Sequence, residues 1–200
     1  MRHPTRDVGL LLLTAVLAIA ATLAWRQWTS PAIASAETQL QSRQRLAVLP
    51  AGSYDNQPLD RPLPRPAAQR PNSRILAAYR ATLAGKPSAI ILVTQTPGYS
   101  GPIVLSVAIA NDGRLIGSQV VEQQESPGLG ARLGDPQLKW LGQFANHQLG
   151  DHWALKRDQG DFDQLAGATV TSRAVITALQ EALGYFDEQR SVLLEGSAHE

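Results

Sequence analysis

Residues 167–172, Gly-Ala-Thr-Val-Thr-Ser, set small residues and hydroxyls directly before an apolar periodicity at Val175, Ile176, Leu179, Ala182 and Leu183. That spacing predicts an amphipathic helix over 173–185. A helix N-terminus carries unpaired N–H groups and partial positive charge, so a phosphate is held well there. Gly167 and Ala168 leave room for a bulky group beside Thr169, Ser172 offers another hydroxyl, and Arg173 adds a full positive charge. The plainer reading is an ordinary helix start, since Thr and Ser are common N-caps; the local pattern leaves both open. A second segment, residues 125–130, reads Glu-Ser-Pro-Gly-Leu-Gly. Its proline fixes one dihedral and Gly128 and Gly130 permit left-handed backbone, which predicts a tight loop whose main chain can approach a flat ligand, although Pro-Gly alone is more often just a turn.

Other chemistry is thinly represented. His147 and His152 have no carboxylate at a familiar metal-ligand spacing, and Asp161 with Asp163 lacks the further ligands of a calcium loop, so no metal site is expected. Asp161 reads as a solvated turn. No Gly-x-Gly-x-x-Gly follows a strand, and no Ser-His-Asp arrangement stands out. Trp140 and Trp153 could flank a ring, but core packing is the commoner use of both.

The run at residues 163–172 resembles the flavinylation motif of the G subunit of the Rnf/Rsx electron-transport complexes and of the related C subunit of the sodium-translocating NADH:quinone reductases. The resemblance implies FMN joined through a phosphoester to the Thr169 oxygen, with Asp163 as the acidic residue six positions earlier and Gly167 and Ala168 completing the triplet. Ala166 stands where those proteins often carry Ser or Thr. Residues 125–130 resemble their Glu-Thr-Pro-Gly-Leu-Gly loop, with Ser126 in second place, and the Trp153 and Gly160–Asp163 region between the two segments also looks familiar. The resemblance therefore implies a cofactor site of Thr169, Asp163, Gly167, Ala168, Ser172, Arg173, Glu125, Ser126, Gly128, Leu129 and Gly130. It implies an α+β FMN-binding domain with an antiparallel sheet flanked by helices. The work implied is one-electron relay within a six-subunit membrane complex that couples ferredoxin/NAD electron flow to ion translocation. FMN would be attached by a separate magnesium-dependent flavin transferase. The C subunit of the sodium-pumping reductase, a flavin-based membrane redox sensor and a stand-alone flavin reductase are the other readings. A sensor should carry further membrane or cysteine-rich segments and a reductase a second substrate domain.

The chain has 200 residues, 44% of them hydrophobic, which suits one globular domain plus an extra segment. A net charge of +1 leaves no electrostatic footprint for nucleic acid. With no cysteine, disulfides, Cys-x-x-Cys-His haem attachment and cysteine-ligated clusters are excluded, so an electron carrier here must be organic or held by other ligands. The extra segment is residues 8–24, uncharged and apolar, with Trp25 and Trp28 at its far end; it predicts one short membrane span over 8–25. Arg2 and Arg6 precede it and Arg26 follows, which favours a cytoplasmic residue 1–7 segment and an exported domain at the bacterial inner membrane. A cleaved signal ending at Ala34-Ser35-Ala36 competes, but that site lies far beyond the apolar stretch for a signal peptidase.

Beyond the span, residues 26–73 should form a membrane-proximal helix over 37–49 and a proline-rich irregular connector over 50–71, followed by the FMN-binding domain at 74–200 in the periplasm. Residues 74–84 read as a short helix. Residues 89–96, 103–110 and 114–124 read as three strands, with Asn111-Asp112-Gly113 as a hairpin signal, so Glu125 would end the third strand. Residues 136–149 read as a helix with Leu138, Trp140, Leu141, Phe144 and Leu149 available for burial; a short strand at 153–155 and a last helix near 188–194 complete the pattern.

Overall fold

The computed structural model describes residues 14–22, 25, 46–64, 69–135 and 137–195. Two compact units divide the chain at residues 42 and 43. In the first, residues 14–22 form helix α1, on which Val16, Leu17 and Ile19 are exposed. Thr22 Oγ1 donates back to the Ala18 carbonyl at 2.7 Å. Among the described residues no helix is long and apolar enough to cross a membrane. The rest of the 8–25 stretch and most of the 37–49 segment lie outside the described residues; of the latter, residues 46–49 form a turn closed by Leu49 N–H to Leu46 O at 2.9 Å.

The second unit is built on a four-stranded antiparallel meander: β1 (Arg74–Leu83), β2 (Lys86–Pro97), β3 (Pro102–Ala110) and β4 (Leu115–Gln123), in spatial order 1-2-3-4. Leu92 faces Val107 and Val107 faces Ser118, and the β3–β4 turn closes with Ala110 N–H to Arg114 O at 2.8 Å, as Asn-Asp-Gly predicts. Both faces of the sheet are covered. Ile90, Leu92, Leu105, Val107 and Ile109 pack with Val175, Ile176, Leu179, Ala182 and Leu183 of helix α2 (Thr169–Glu188). On the other face Ala89, Ile91, Val93 and Ala108 pack with Val48, Leu49 and Tyr79, with Tyr54 and Leu59 of the connector against them. The connector is irregular apart from a 3-10 turn at Pro58–Asp60, and follows edge strand β1 through Leu63 N–H to Ala78 O at 2.7 Å. Helix α3 (Arg190–Glu195) closes the described chain, as expected.

The 74–84 stretch is not a helix: Arg74–Leu83 is the strand β1 and Ala84 begins the turn after it. The Ala- and Leu-rich composition favours helix locally, but pairing with β2 along its length and burial of Ala78 on one face and Tyr79 and Ala81 on the other override that preference. Glu125 therefore follows the fourth strand. Among the described residues of 136–149 only Trp140–Phe144 is helical, as a 3-10 turn, because Lys139 and Asn146 are left-handed at φ 48° and 68° and Asn146 and His147 bond to Leu115 at the start of β4. Phe144 is buried, Trp140 and Leu141 partly so, while Leu138 and Leu149 stay largely exposed. Residues 153–155 make no strand; a single parallel bridge joins Leu155 to Phe162.

Candidate functional site

The antiparallel register carries Pro97 and Pro102 to one end of the sheet, where β4 also delivers Glu125. The turn at 98–101, closed by Gly98 N–H to Gly101 O at 2.8 Å, therefore lies beside the 125–130 loop. Glu125 is 7% exposed. Its Oε1 accepts the Ser100 N–H at 3.0 Å, and its Oε2 accepts the Thr171 hydroxyl from the first turn of α2. Ser100 and Ser126 hydroxyls meet at 2.8 Å. A Cβ on Gly98 or on Gly130 would run into the Glu125 carboxylate, and one on Gly130 would also lie 2.9 Å from Thr171 Oγ1. The two motif segments are thus in contact. Leu129, about half exposed, reaches across so that a Cβ on Gly167 would lie 2.8 Å from its Cδ2; Gly167 also has φ +76°, which favours glycine. Gly128 shares that left-handed backbone at φ 76° and turns the loop.

Helix α2 begins at Thr169, four residues earlier than the apolar periodicity indicates, with Ala168 at the N-cap and no side-chain cap. The start is therefore not the ordinary Thr- or Ser-capped kind, and its first-turn N–H groups are free of a capping side chain. Thr169 is half-buried and its hydroxyl donates to Gln164 Oε1 at 3.2 Å, a partner that a side-chain rotation removes. The other two hydroxyls point inward. Ser172, fully buried, accepts the Leu165 N–H and donates to the Ala168 carbonyl, both at 2.8 Å, so it locks the loop to the helix. Thr171, 1% exposed, holds Glu125. Thr169 is thus the hydroxyl of the three whose partner is an exchangeable side chain.

Asp163 is fixed on the same approach. Its N–H donates to Gln143 Oε1 at 2.8 Å, its carbonyl accepts Trp140 Nε1 at 2.8 Å, and its exposed carboxylate pairs with Lys156 at 2.7 Å. Trp140 therefore orients the motif backbone, whereas Trp153 is a core residue packed on Phe144 and Phe162, with ring centroids 6.2 and 4.9 Å apart. Arg173 extends to Asp158, Nη2 to Oδ2 at 2.8 Å, on an exposed surface. His147 Nδ1 lies 2.7 Å from Asp151, and Asp161 accepts the His152 N–H at 3.0 Å, so both histidines serve local turns. Among the described residues no group of three or more His, Cys, Asp or Glu could hold a metal ion. A cleft of about 1080 Å³ lined by Asn56, Arg61, Arg80 and Val192 shares no residue with the motif. Sequence reasoning misses Gly98, Ser100 and the inward role of Thr171; Pro97-Gly98 and Gly101-Pro102 mark a turn, but only the strand register shows which loop it meets.

Residues 98–184 match the FMN-binding domain family. The G subunit of the ion-translocating oxidoreductase complex of Pseudomonas aeruginosa is 42% identical, with 100% of this chain and 97% of that one covered. The protein of the same name from Pseudoalteromonas atlantica is 35% identical, with 80% of each chain covered. The crystal structure of Shewanella oneidensis NqrC is 22% identical, covers 74% of each chain and has a TM-score of 0.48.

Proposed function

Because the chain belongs to the family of G subunits of ion-translocating oxidoreductase complexes, we propose that it carries FMN on Thr169 through a phosphoester bond and relays single electrons within such a complex. It works as one component of a translocating oxidoreductase, with no separate turnover of its own. The observation that carries the attachment reading is the meeting of the 125–130 loop with the start of α2, where the Thr169 hydroxyl faces outward and its neighbours Thr171 and Ser172 are both engaged inside the fold.

The residues present fit the group. Uncapped N–H groups at the α2 N-terminus suit a phosphate, Gly167 lets Leu129 close in beside Thr169, and Leu129 with Val170, both about half exposed, offers apolar surface for a ring. When bound, FMN supplies a ring that takes up and passes on electrons one at a time, while the protein supplies position and electrostatics. Ser126, Gly128 and Leu129 hold the ring or ribityl side and Arg173 exchanges Asp158 for the phosphate. Attachment by a separate flavin transferase is the maturation step, and Asp163, with an exposed carboxylate, forms part of the surface that enzyme reads. Residues 8–25 anchor the chain in the inner membrane of a bacterium, residues 1–7 stay in the cytoplasm, and the domain from residue 74 lies in the periplasm, tethered by residues 26–73. The partners are the other five subunits, among them an iron–sulfur protein.

Thr169→Ala tests the attachment. Made with a flavin transferase and exported, the native chain should show flavin fluorescence in a denaturing gel and an FMN adduct on the Thr169 peptide by mass spectrometry. Thr169→Ala should fold yet lack both, and Thr171→Ala should keep the fluorescence. Covalent flavin persisting in Thr169→Ala, or an adduct on Thr171 or Ser172, overturns the assignment.

A further inference from the structure

We propose that Glu125 is a positioning residue for the flavin site: its buried carboxylate ties the turn at 98–101 and the first turn of α2 to the 126–130 loop, and so fixes Leu129 over Gly167 beside Thr169. The proposal rests on the Thr169 attachment reading and adds the element that gives that site its shape. In this role Glu125 acts through the segments that it holds. It is 7% exposed, and its two oxygens are taken by groups from two different segments, the Ser100 N–H at 3.0 Å and the Thr171 hydroxyl. Its backbone N–H is held as well, by Gln123 Oε1 at 2.7 Å, so the residue is fixed at both ends.

The surroundings are shaped to this one side chain. Gly98 and Gly130 come from separate loops, and in each the space that a Cβ would occupy is filled by the Glu125 carboxylate. The reach of the side chain matters because Ser100 lies on the β2–β3 turn and Thr171 on α2, two segments that this carboxylate bridges. Ser126 adds a parallel link to Ser100 at 2.8 Å, on the loop that Glu125 begins. Loss of the carboxylate leaves the buried Thr171 hydroxyl and the part-buried Ser100 N–H without their acceptor, which removes the tie between the loop and the helix. Leu129 rides on that loop, so the apolar surface beside Thr169 moves with it.

A geometric role and an electrostatic role make opposite demands on substitution. Glu125→Gln keeps length and an oxygen for the Ser100 N–H, and its amide can donate to Thr171 Oγ1; Glu125→Asp keeps the carboxylate but is one methylene short of bridging both. The test uses the full chain in membranes, flavinylated by a co-expressed transferase, with the visible circular dichroism, fluorescence anisotropy and midpoint potential of the attached flavin as readouts. Glu125→Gln should match the native protein in all three. Glu125→Asp and Glu125→Ala should retain flavin in the denaturing gel but lose most of the induced dichroism and anisotropy. Thr171→Val, which removes only the hydroxyl on α2 and guards against misfolding of the Glu125 variants, should reproduce that loss, and combining it with Glu125→Ala should add little. Amide exchange at 98–101 and 169–172, measured without flavin, should speed up roughly fivefold to tenfold in Glu125→Ala and Thr171→Val, the factor for one lost buried hydrogen bond.

Native dichroism and anisotropy in folded Glu125→Ala or Thr171→Val overturns the proposal. So does the reverse ranking, in which Glu125→Asp behaves as native while Glu125→Gln shifts the potential, because that is the mark of a charge acting on the flavin directly. Thr169→Ala in the same membranes reports separately on attachment: covalent flavin there removes the attachment reading and this proposal together, whereas its absence alongside native-like Glu125→Ala removes the positioning role alone.

Discussion

At Arg173 the structure shows one partner, Asp158, and the proposed function asks for a second, the FMN phosphate. The guanidinium is bound to Asp158 at 2.8 Å on a surface where both side chains are well exposed, and such pairs contribute about 0–1 kcal/mol. Service to a phosphate requires only that Arg173 leave Asp158, a small cost against a charge-assisted bond to an anion. Arg173→Ala should accordingly lower flavin incorporation without abolishing it and move the thermal midpoint little, while Asp158→Ala should leave incorporation intact or raise it. Full incorporation in Arg173→Ala, by denatured-gel fluorescence, would show that the side chain serves Asp158 alone. The types of residue at the site were legible in the sequence, since small residues before a hydroxyl at a helix start have a direct physical meaning. Their division of labour was not. Thr169, Thr171 and Ser172 look alike in one dimension, and only the turn of about 100° per residue in a helix that starts at Thr169 sends Thr171 to Glu125 and Ser172 back to Leu165. That Glu125 bridges two segments is not legible in sequence, because the Ser100 N–H it accepts lies 25 residues away.

Elements were legible where one local signal dominates, as in the hairpin at 111–113 and the periodic face of α2. They were obscured where burial on two sides erases the period: β1 presents Ala78 to α2 and Tyr79 and Ala81 to the connector, so its pattern carries no alternation to separate it from a helix. The segment at 146–163 holds no long regular element, yet it sets the motif's approach, and two outcomes follow from its bonds. Gly160 lies so close to Ala154 that a Cβ would collide with that residue's carbonyl, which also accepts the Phe162 N–H at 3.2 Å. Gly160→Ala should therefore destabilise the chain by about 1–3 kcal/mol through overpacking, and should reduce flavinylation because Asp163 follows Phe162 directly. A native thermal midpoint for that variant would contradict the packing argument. Asp151 behaves differently. The Gln148 N–H holds its carboxylate below the usual range, and the adjacent His147 adds to the effect. The folded pKa lies under the unfolded one, so the unfolded chain binds more protons as pH falls, and the stability Asp151 confers is present above about pH 4 and lost below it. Denaturant midpoints should be higher for the native chain than for Asp151→Asn at neutral pH and converge in acid; a constant gap from about pH 7 to about pH 3 would assign the effect to shape instead.

At the scale of the whole molecule, an apolar N-terminal stretch and a domain with its own core share one chain. The sheet of the domain is covered on both faces, by α2 and by the connector. The leader is the opposite. Val16, Leu17 and Ile19 of α1 are each about 60% exposed, an apolar surface that lipid or another apolar partner covers at far lower cost than water. Residues 14–22 make nine residues of helix, about 13.5 Å at 1.5 Å per residue, which is too short for a hydrocarbon core of about 30 Å. The proposed anchor takes in the whole uncharged stretch at 8–24, with Trp25 and Trp28 next in sequence as its expected interfacial aromatics. Orientation then turns on Arg2 and Arg6 ahead of the stretch against Arg26 behind it. Under the positive-inside rule this balance favours a cytoplasmic arginine pair, and the proposed topology has the domain on the other side of the membrane. A reporter active only outside the cytoplasm, fused after Glu200, should therefore be active, and the native chain should resist alkaline extraction from membranes. Moving the charges should move the domain: replacing Arg2 and Arg6 with Asn while adding two lysines after Trp28 should switch activity to a cytoplasmic reporter at the same position. Retained export in that charge-swapped chain would show that the domain is carried across by something other than the flanking charges. N-terminal sequencing of the membrane-bound form separates the remaining case, since a chain beginning at Glu37 has lost its leader and one beginning near Met1 has kept it as an anchor.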